Sequence, residues 1–207
     1  MSCGLEEYHV DAPEGMIAEV NRVFGKDGYH WSMLGHDGES KLRRLVEAAF
    51  PPPGHGAPQR LLNIIEIGSH RGVSACILAD YGQVTTFDID DEPLFDQVVH
   101  HFRKDTRIRR RLIPTTSDHR WERARQGDAH LSELLPAMKF DLAFVDGNHD
   151  LDSVQANYEA VKHCGCVIFH DYELTAHRDR TVEFVDNLRD GRTTKLSPFA
   201  MWEKFEL

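Results

Sequence analysis

Short apolar stretches alternate with helical stretches from residue 61 onward, and this alternation constrains the fold more than any other feature of the sequence. Most of the apolar stretches are nearly continuous, which is typical of parallel strands buried on both faces. Strands that alternate with helices at this spacing predict right-handed crossovers. We therefore predict an α/β fold with a doubly wound, mostly parallel sheet and helices on both faces. The predicted strands are residues 62–67, 83–88, 108–114, 140–145, 165–169 and 199–205, and the predicted helices between them are residues 72–81, 94–104, 129–138, 151–162 and 181–190.

The segment before this alternation has a different character. A run rich in proline and glycine at residues 51–58 cannot continue a helix and therefore predicts a linker. Apolar residues at helical spacing predict an amphipathic helix at residues 37–49 and a shorter helix at residues 15–23. A piece of this size is too small to fold alone. We therefore expect residues 1–57 to form an N-terminal helical cap and linker, and residues 58–207 to form the main domain.

Composition and charge narrow the class of partner. Acidic residues outnumber basic ones by 34 to 24, and the resulting net charge of −10 opposes binding to nucleic acid or to an anionic membrane. The sequence has no apolar run long enough to span a membrane and no signal-peptide pattern at its start. Its four cysteines are too few and too scattered for a disulfide framework. We therefore expect a cytoplasmic protein that binds neither nucleic acid nor membrane.

The first predicted strand is followed by a turn that contains Gly68 and Gly72. Glycine at these positions lets the backbone turn tightly from strand into helix and lets a ligand approach closely. The Gly-x-x-x-Gly spacing differs from the Gly-x-Gly-x-x-Gly pattern that holds a pyrophosphate at a helix N-terminus. Glu66, an acid near the end of the strand, would repel a phosphate and suits a cationic or amino-bearing ligand. Taken alone, the motif also fits an ordinary strand-to-helix turn.

Polar side chains follow the next strands at the points where each strand ends. In a doubly wound sheet, ligands bind outside the carboxyl ends of the strands, near the point where the strand order reverses. Asp88 ends the second strand about 20 residues beyond the glycine turn, which suits hydrogen bonds to the hydroxyls of a ribose. Ser117 and Asp118 follow the third strand and suit the edge of an adenine. The fourth and fifth strands lead into Asp146-Gly147-Asn148-His149 and Phe169-His170-Asp171-Tyr172.

Three segments carry a resemblance to a known family. They are Glu66-Ile67-Gly68-Ser69-His70-Arg71-Gly72-Val73-Ser74, Asp146-Gly147-Asn148-His149 and Phe169-His170-Asp171-Tyr172. In this order and at these separations, the chain resembles the class I S-adenosylmethionine-dependent methyltransferases. It is most similar to small O-methyltransferases of the macrocin and cephalosporin-tailoring type. The resemblance covers residues 60–205 and implies a Rossmann-like sheet of the methyltransferase type.

This resemblance implies S-adenosylmethionine as the cofactor. In the family, the glycine turn lines the methionine end of the cofactor and the acid after the second strand holds the ribose. The polar residues after the third strand lie near the adenine. The implied cofactor-binding residues are Glu66, Gly68, Ser69, Gly72, Ser74, Asp88, Ser117 and Asp118.

Members of the family often bind a divalent cation with the acid that ends the fourth strand and a polar pair that ends the fifth. The corresponding residues are Asp146, His170 and Asp171. Mg²⁺ prefers oxygen ligands, and His170 departs from the acidic or amide residue often found at its position. An ion that accepts imidazole, such as Mn²⁺, Fe²⁺ or Zn²⁺, is one alternative, and a water in place of His170 is another.

The predicted reaction requires that the methyl donor and the acceptor are aligned and that the acceptor hydroxyl loses its proton. Methyl transfer from a sulfonium is an in-line displacement, so the protein chiefly aligns donor and acceptor. An acceptor hydroxyl gains from losing its proton, and the ordinary pKa of histidine suits His149 to general-base work. A cation at Asp146 and Asp171 could instead stabilise the deprotonated acceptor. We therefore predict methyl transfer to a hydroxyl of a small molecule, with His149 and Asp146 as catalytic residues.

Two other functions stay open on the sequence alone. A nucleotide- or NAD-binding enzyme could use the same sheet, although the phosphate-binding glycine pattern is missing. A methyltransferase-like protein could also bind a ligand or partner without turnover. Polar side chains at His177, Arg178 and Arg180 suggest a hydroxylated or anionic acceptor, and Trp31 is a candidate contact to it. The last strand and the cap offer surfaces for a homodimer.

Overall fold

The computed structural model describes residues 15–24, 34, 37–51, 60–172 and 180–205. Within them, one sheet contains β1 (Leu62–Ile67), β2 (Gly82–Asp88), β3 (Ile108–Leu112), β4 (Leu142–Val145), β5 (Cys166–Phe169), β6 (Gly191–Leu196) and β7 (Phe199–Lys204). The strand order is β3-β2-β1-β4-β5-β7-β6. Strands β1 to β5 are parallel, whereas β7 runs antiparallel to β5 and β6. The prediction of a doubly wound, mostly parallel α/β sheet is confirmed.

Helices cover both faces of this sheet. They are α1 (Met16–Phe24), α2 (Gly38–Ala49), α3 (Val73–Leu78), α4 (Phe95–His101), α5 (Arg120–Leu134), α6 (Leu151–Val161) and α7 (Thr181–Asn187). One apolar core contains the buried side chains of α1 to α4, and a second core contains those of α5 to α7. The central strands contribute to both cores because successive side chains point to opposite faces. None of these helices is long and apolar enough to cross a membrane.

The sheet reverses its strand order between β1 and β4, and this reversal opens a crevice at their carboxyl ends. Ile67, the last residue of β1, lies opposite Val145, the last residue of β4. Val145 in turn lies opposite Phe169 at the end of β5. Because these three strands are parallel and end level with one another, the residues that follow them meet at one edge of the sheet.

Helices α1 and α2 pack into the first of the two cores, close to where the sequence predicts helices. Val20, Leu42 and Val46 are fully buried there, and α2 also contacts β7. The predicted linker at residues 51–58 lies almost wholly outside the described residues. The division of the chain into a cap and a main domain at residue 57 stays a prediction.

Two elements differ from the sequence-based prediction. Strand β6 is not predicted, because its residues are mostly polar, are not buried and form no apolar run. Helix α5 begins at Arg120 rather than at residue 129. Residues 120–128 carry so many charged side chains that they show little helical periodicity. Both errors concern surface-facing elements, and neither changes the position of the crevice.

Candidate active site

The turn between β1 and α3 is built around two glycines with positive φ. Gly68 has a φ of 85° and Gly72 a φ of 80°, a region that other residues rarely adopt. A Cβ atom on Gly68 would lie 2.0 Å from the carbonyl oxygen of Asp146. A Cβ atom on Gly72 would lie 2.9 Å from the ring of Phe95. Glycine therefore allows the turn to approach the segment after β4 directly through its backbone.

Asp88 closes the glycine turn from the end of β2. Its Oδ2 accepts hydrogen bonds from the backbone N–H groups of Ser69 (3.0 Å) and His70 (2.7 Å). Its Oδ1 accepts one from the backbone N–H of Asp90 (3.0 Å). Charge-assisted bonds of this kind fix the position of the carboxylate. Because a carboxylate oxygen has two lone pairs, Oδ1 can still accept a hydrogen bond from a ligand hydroxyl.

Glu66 lies beneath the turn and is fully buried. Ser74 Oγ donates a hydrogen bond to Glu66 Oε1, while Oε2 has no hydrogen-bond partner among the described residues. Burial raises the pKa of Glu66 to about 8, only partly offset by the bond from Ser74, so the carboxyl holds its proton near neutral pH. The sequence predicts a charged Glu66 that faces the ligand. In the structure Glu66 is buried below the turn and holds its proton, and its assignment as a cofactor-binding residue stays a prediction.

Ser117 and Asp118 lie between β3 and α5, at the carboxyl edge of the sheet. Ser117 Oγ donates to Glu122 and accepts a hydrogen bond from the backbone N–H of His119 at 3.1 Å. These bonds organise the first turn of α5. Asp118 is exposed to solvent. The assignment of both residues to an adenine stays a prediction.

Four side chains from the ends of β4 and β5 come together beside the glycine turn, and we call Asp146, His149, His170 and Asp171 the acid–histidine cluster. His149 Nδ1 lies 2.9 Å from Asp171 Oδ2, and His149 Nε2 lies 3.8 Å from Asp146 Oδ1. One ligand atom from each of Asp146, His149 and Asp171 lies within 4.8 Å of the others. The His149 side chain is 34% exposed, so this imidazole faces outward.

The predicted cation ligands Asp146, His170 and Asp171 are close together, but His170 approaches from the interior. His170 Nδ1 lies 2.9 Å from Asp146 Oδ1 and 3.1 Å from Asp171 Oδ1. Its side chain has no exposed surface. The group of three whose ligand atoms converge is Asp146, His149 and Asp171, of which His149 is the most exposed and Asp171 is buried. The sequence signal for His149 is its position three residues after Asp146, which indicated a base rather than a ligand.

The histidines neutralise the carboxylates of the cluster. Burial opposes protonation of His149, but hydrogen bonds and charges from Asp146 and Asp171 raise its pKa to about 10. Burial also opposes protonation of His170, and the charge and hydrogen bond of Asp146 nevertheless raise its pKa. For Asp146, burial acts to raise the pKa, but the charge on His170 and the hydrogen bonds of both histidines lower it. Near neutral pH, ionised Asp146 is thus paired with the imidazolium of His149, and the raised pKa of His170 favours its protonated form.

This charge state bears on both predicted roles of the cluster. A protonated His149 has no lone pair with which to accept a further proton, so the ordinary pKa that suits it to general-base work does not hold here. A divalent cation could replace that proton, because the cluster would then offer carboxylate oxygens and one imidazole nitrogen. This mixed donor set suits Mn²⁺, Fe²⁺ or Zn²⁺ better than Mg²⁺.

The strand order, the glycine turn after β1 and the polar groups after β2, β4 and β5 together define a methyltransferase-like α/β fold. The chain belongs to the methyltransferase domain family, whose model matches residues 65–172, just over half of the chain. That range begins in β1 and ends just after the acid–histidine cluster. No curated protein matches the sequence significantly.

Solved structures share this fold at low sequence identity. The SAH-bound methyltransferase PaMTH1 from Podospora anserina is 12% identical, with a TM-score of 0.64 over 94% of this chain and 89% of that one. The SAM-bound O-methyltransferase TomG from Streptomyces achromogenes, involved in tomaymycin synthesis, is 16% identical. Its TM-score is 0.61, and the match covers 96% of this chain and 93% of TomG. The mycinamycin-pathway methyltransferase MycE, in complex with Mg and SAH, is 14% identical. Its TM-score is 0.51, and the match covers 93% of this chain and 55% of MycE.

Proposed function

We propose that this protein transfers a methyl group from S-adenosylmethionine to a hydroxyl group of a small molecule. One observation carries the proposal: the glycine turn, where the methyl donor would bind, contacts the segment that bears the acid–histidine cluster. Gly68 packs against the carbonyl oxygen of Asp146, so a donor held at the turn would lie beside groups that can orient a hydroxyl. Membership in the methyltransferase domain family and the SAM- and SAH-bound proteins of the same fold support it.

The cofactor would bind along the glycine turn. Gly68, Ser69 and Gly72 would surround its methionine end, and Asp88 Oδ1 would accept a hydrogen bond from the ribose. Glu66 would contribute through its bond to Ser74 in α3, because it is buried and holds its proton. Ser117 and Asp118 would lie at the adenine end, since they follow β3 at the same edge of the sheet.

The proposed reaction forms an oxygen–carbon bond and breaks a carbon–sulfur bond, and the acceptor hydroxyl gives up its proton to water. The acceptor oxygen attacks the methyl carbon while the sulfur leaves with its electron pair, so sulfur, carbon and oxygen must lie in line. A divalent cation held by Asp146, His149 and Asp171 would lower the pKa of the acceptor hydroxyl and so ease the loss of its proton. Asp146 and Asp171 would also hold the imidazole of His149 in one orientation through the contacts described above.

The acceptor is proposed to be a hydroxylated or anionic small molecule, as for macrocin-type enzymes. The backbone N–H of Arg180 donates a hydrogen bond to the carbonyl oxygen of His149 at 3.1 Å, so this residue lies next to the cluster, while its guanidinium pairs with Glu183. The net charge of −10 favours a small molecule over nucleic acid or membrane. Trp31, His177 and Arg178 lie outside the described residues. A cytoplasmic location and a homodimer complete the proposal.

Two measurements test this proposal in sequence. A thermal-shift assay compares S-adenosylhomocysteine with NAD, and only S-adenosylhomocysteine should raise the Tm. Transfer of a labelled methyl group to a panel of phenols, catechols and sugars is then measured with Mn²⁺, with Mg²⁺ and with chelator. Stabilisation by NAD alone would contradict methyl transfer. Binding of S-adenosylhomocysteine without turnover of any acceptor would indicate a binding protein on the same fold.

A further inference from the structure

We propose that His170 is a positioning residue that clamps the carboxylates of Asp146 and Asp171 from inside the protein. This inference rests on the proposed function, because the clamped carboxylates are the groups proposed to hold a cation and orient the acceptor. It assigns distinct tasks to the two histidines of the cluster. His149 faces the ligand, and His170 sets the geometry of the carboxylates that the ligand meets.

The contact geometry places one ring nitrogen beside both carboxylates. His170 Nδ1 forms a hydrogen bond with Asp146 Oδ1 at 2.9 Å and lies 3.1 Å from Asp171 Oδ1, within ion-pair distance. An ionised carboxylate can only accept hydrogen bonds, so Nδ1 must carry the hydrogen. One nitrogen therefore donates to the acid after β4 and stays close to the acid after β5. A nitrogen that carries this hydrogen cannot at the same time bind a cation.

The other nitrogen of His170 does not reach the crevice. Nε2 is buried and has no hydrogen-bond partner among the described residues. The ring lies near two aromatic rings of the core, with centroid distances of 5.2 Å to Phe199 and 6.3 Å to Phe144. The side chain of His170 is 0% exposed, whereas that of His149 is 34% exposed. His170 can therefore hold the cluster from within but cannot present a ligand atom to it.

The clamp matters because the arrangement it holds is otherwise unfavourable. Carboxylate oxygens of Asp146 and Asp171 lie within 4.8 Å of one another. Two carboxylates this close repel one another unless a donor or a cation lies between them. Asp171 also has a φ of 56°, which costs energy for a residue other than glycine. With its Oδ1 held by His170, Asp171 directs its Oδ2 toward His149, 2.9 Å away. Residues that orient metal ligands in this manner typically change metal affinity by about 10- to 100-fold.

The first experiment detects the clamp without a metal. In ¹H–¹⁵N NMR of the ¹⁵N-labelled full chain, an imidazole N–H shared with carboxylates should give a slowly exchanging signal downfield of the backbone amides. The signal should persist in His149→Gln and disappear in His170→Asn, which assigns it to His170. If no signal meets both conditions, the clamp is absent and the proposal is wrong.

The second experiment separates positioning from ligation. His170→Asn places an amide N–H near the position of Nδ1, whereas His170→Leu keeps similar bulk without a donor. By electron paramagnetic resonance, Mn²⁺ affinity should fall about 10- to 100-fold in His170→Leu and stay within about threefold of wild type in His170→Asn. Thermal unfolding verifies that both variants fold.

Each remaining outcome decides a different question. Unchanged Mn²⁺ affinity in His170→Leu would reduce His170 to a packing residue and overturn the proposal. Equal losses in both variants would mean that the imidazole itself is a ligand, which also overturns it. If wild type binds no Mn²⁺, the cation in the proposed function fails, whereas the NMR signal still decides the clamp. If His170→Leu does not fold, the NMR signal together with His170→Asn decides it.

Discussion

The two halves of the candidate site satisfy their carboxylates in different ways. On the β1–β2 side, Asp88 accepts hydrogen bonds from backbone N–H groups, whose charge does not vary with pH. On the β4–β5 side, Asp146 and Asp171 are paired with the imidazoles of His149 and His170. The donors that hold Asp88 therefore do not titrate. The partners in the second half are imidazoles that titrate, so its charge depends on pH.

The largest effect is expected where the two halves touch. Gly68→Ala would place a Cβ atom 2.0 Å from the Asp146 carbonyl oxygen and impose a positive φ on alanine. The free energy of unfolding should fall by about 4 kcal/mol or more, as measured by urea denaturation. Gly165→Ala is the matched control, because Gly165 has a φ of 81° but no atom within 4 Å of its Cβ position. That control should lose only about 1–2 kcal/mol. Equal losses would show that the contact is unimportant.

Glu66 tests the contrast between the two halves of the site, because it lies in the first half and yet titrates. Its pKa is about 8 in the folded protein against an ordinary value of 4.5. Between these values the folded state binds more protons, so the free energy of unfolding falls as the pH rises. Relative to Glu66→Gln, wild type should lose about 1 kcal/mol per pH unit from pH 5 to 8 and no more above that. Denaturation of both proteins across this range measures the difference, and parallel curves would contradict a raised pKa.

Asp171→Asn should impair the second half of the site and leave the first half unaffected. It removes a charge from the cluster but keeps the shape of the side chain, so Mn²⁺ affinity and Mn²⁺-dependent transfer should both fall at least about tenfold. The pKa of His149 should also fall from about 10, because one of its carboxylate partners is lost. S-adenosylhomocysteine affinity, measured by calorimetry, should not change. Asp96→Asn on the exposed face of α4 is the control. Transfer at the wild-type rate after both Asp171→Asn and exhaustive chelation would rule out the cation.

Asp88→Ala should give the reciprocal pattern and the smallest effect. Loss of the ribose acceptor should weaken S-adenosylhomocysteine binding by about 1–2 kcal/mol, while Mn²⁺ affinity stays unchanged. The loss is modest because His70 is exposed, so that water can replace the carboxylate at its N–H group, although Ser69 is buried. Calorimetry on Asp91→Ala, an exposed acid in the same loop, provides the control. An unaltered S-adenosylhomocysteine affinity in Asp88→Ala would remove the ribose assignment.

Much of the first half could be predicted because chain order determines it. A glycine turn after the first strand and an acid after the second must lie side by side in a parallel sheet, and Gly68 and Asp88 do. The proximity of Asp146 to Asp171 follows in the same way, because β4 and β5 are neighbours. The charge of Glu66 could not be predicted. Its ionisation depends on complete burial, and that depends on helices from elsewhere in the chain.

The sequence could not show which histidine faces outward. Simple alternation after β5 would place His170 and Asp171 on opposite faces of the sheet. The chain instead has a positive φ at Asp171, His170 contacts Asp146, and ligand atoms of Asp171 and Asp146 lie within 4.8 Å of one another. A positive φ at a residue other than glycine is imposed by tertiary packing rather than by local sequence. The raised pKa of His149 likewise requires carboxylates from two strand ends, which the spacing of residues does not reveal.

The backbone contact between Gly68 and Asp146 bears on how substrate range could change in evolution or by engineering. Because no side chain fits at Gly68 between the two segments, single substitutions there cannot adjust the proposed distance from methyl donor to acceptor. Under the proposed function, a different acceptor would have to be accommodated by residues that border the cluster, such as Arg180, whose backbone N–H bonds to His149. Substitutions at that position, with the turn left intact, are therefore the more promising route to a new specificity.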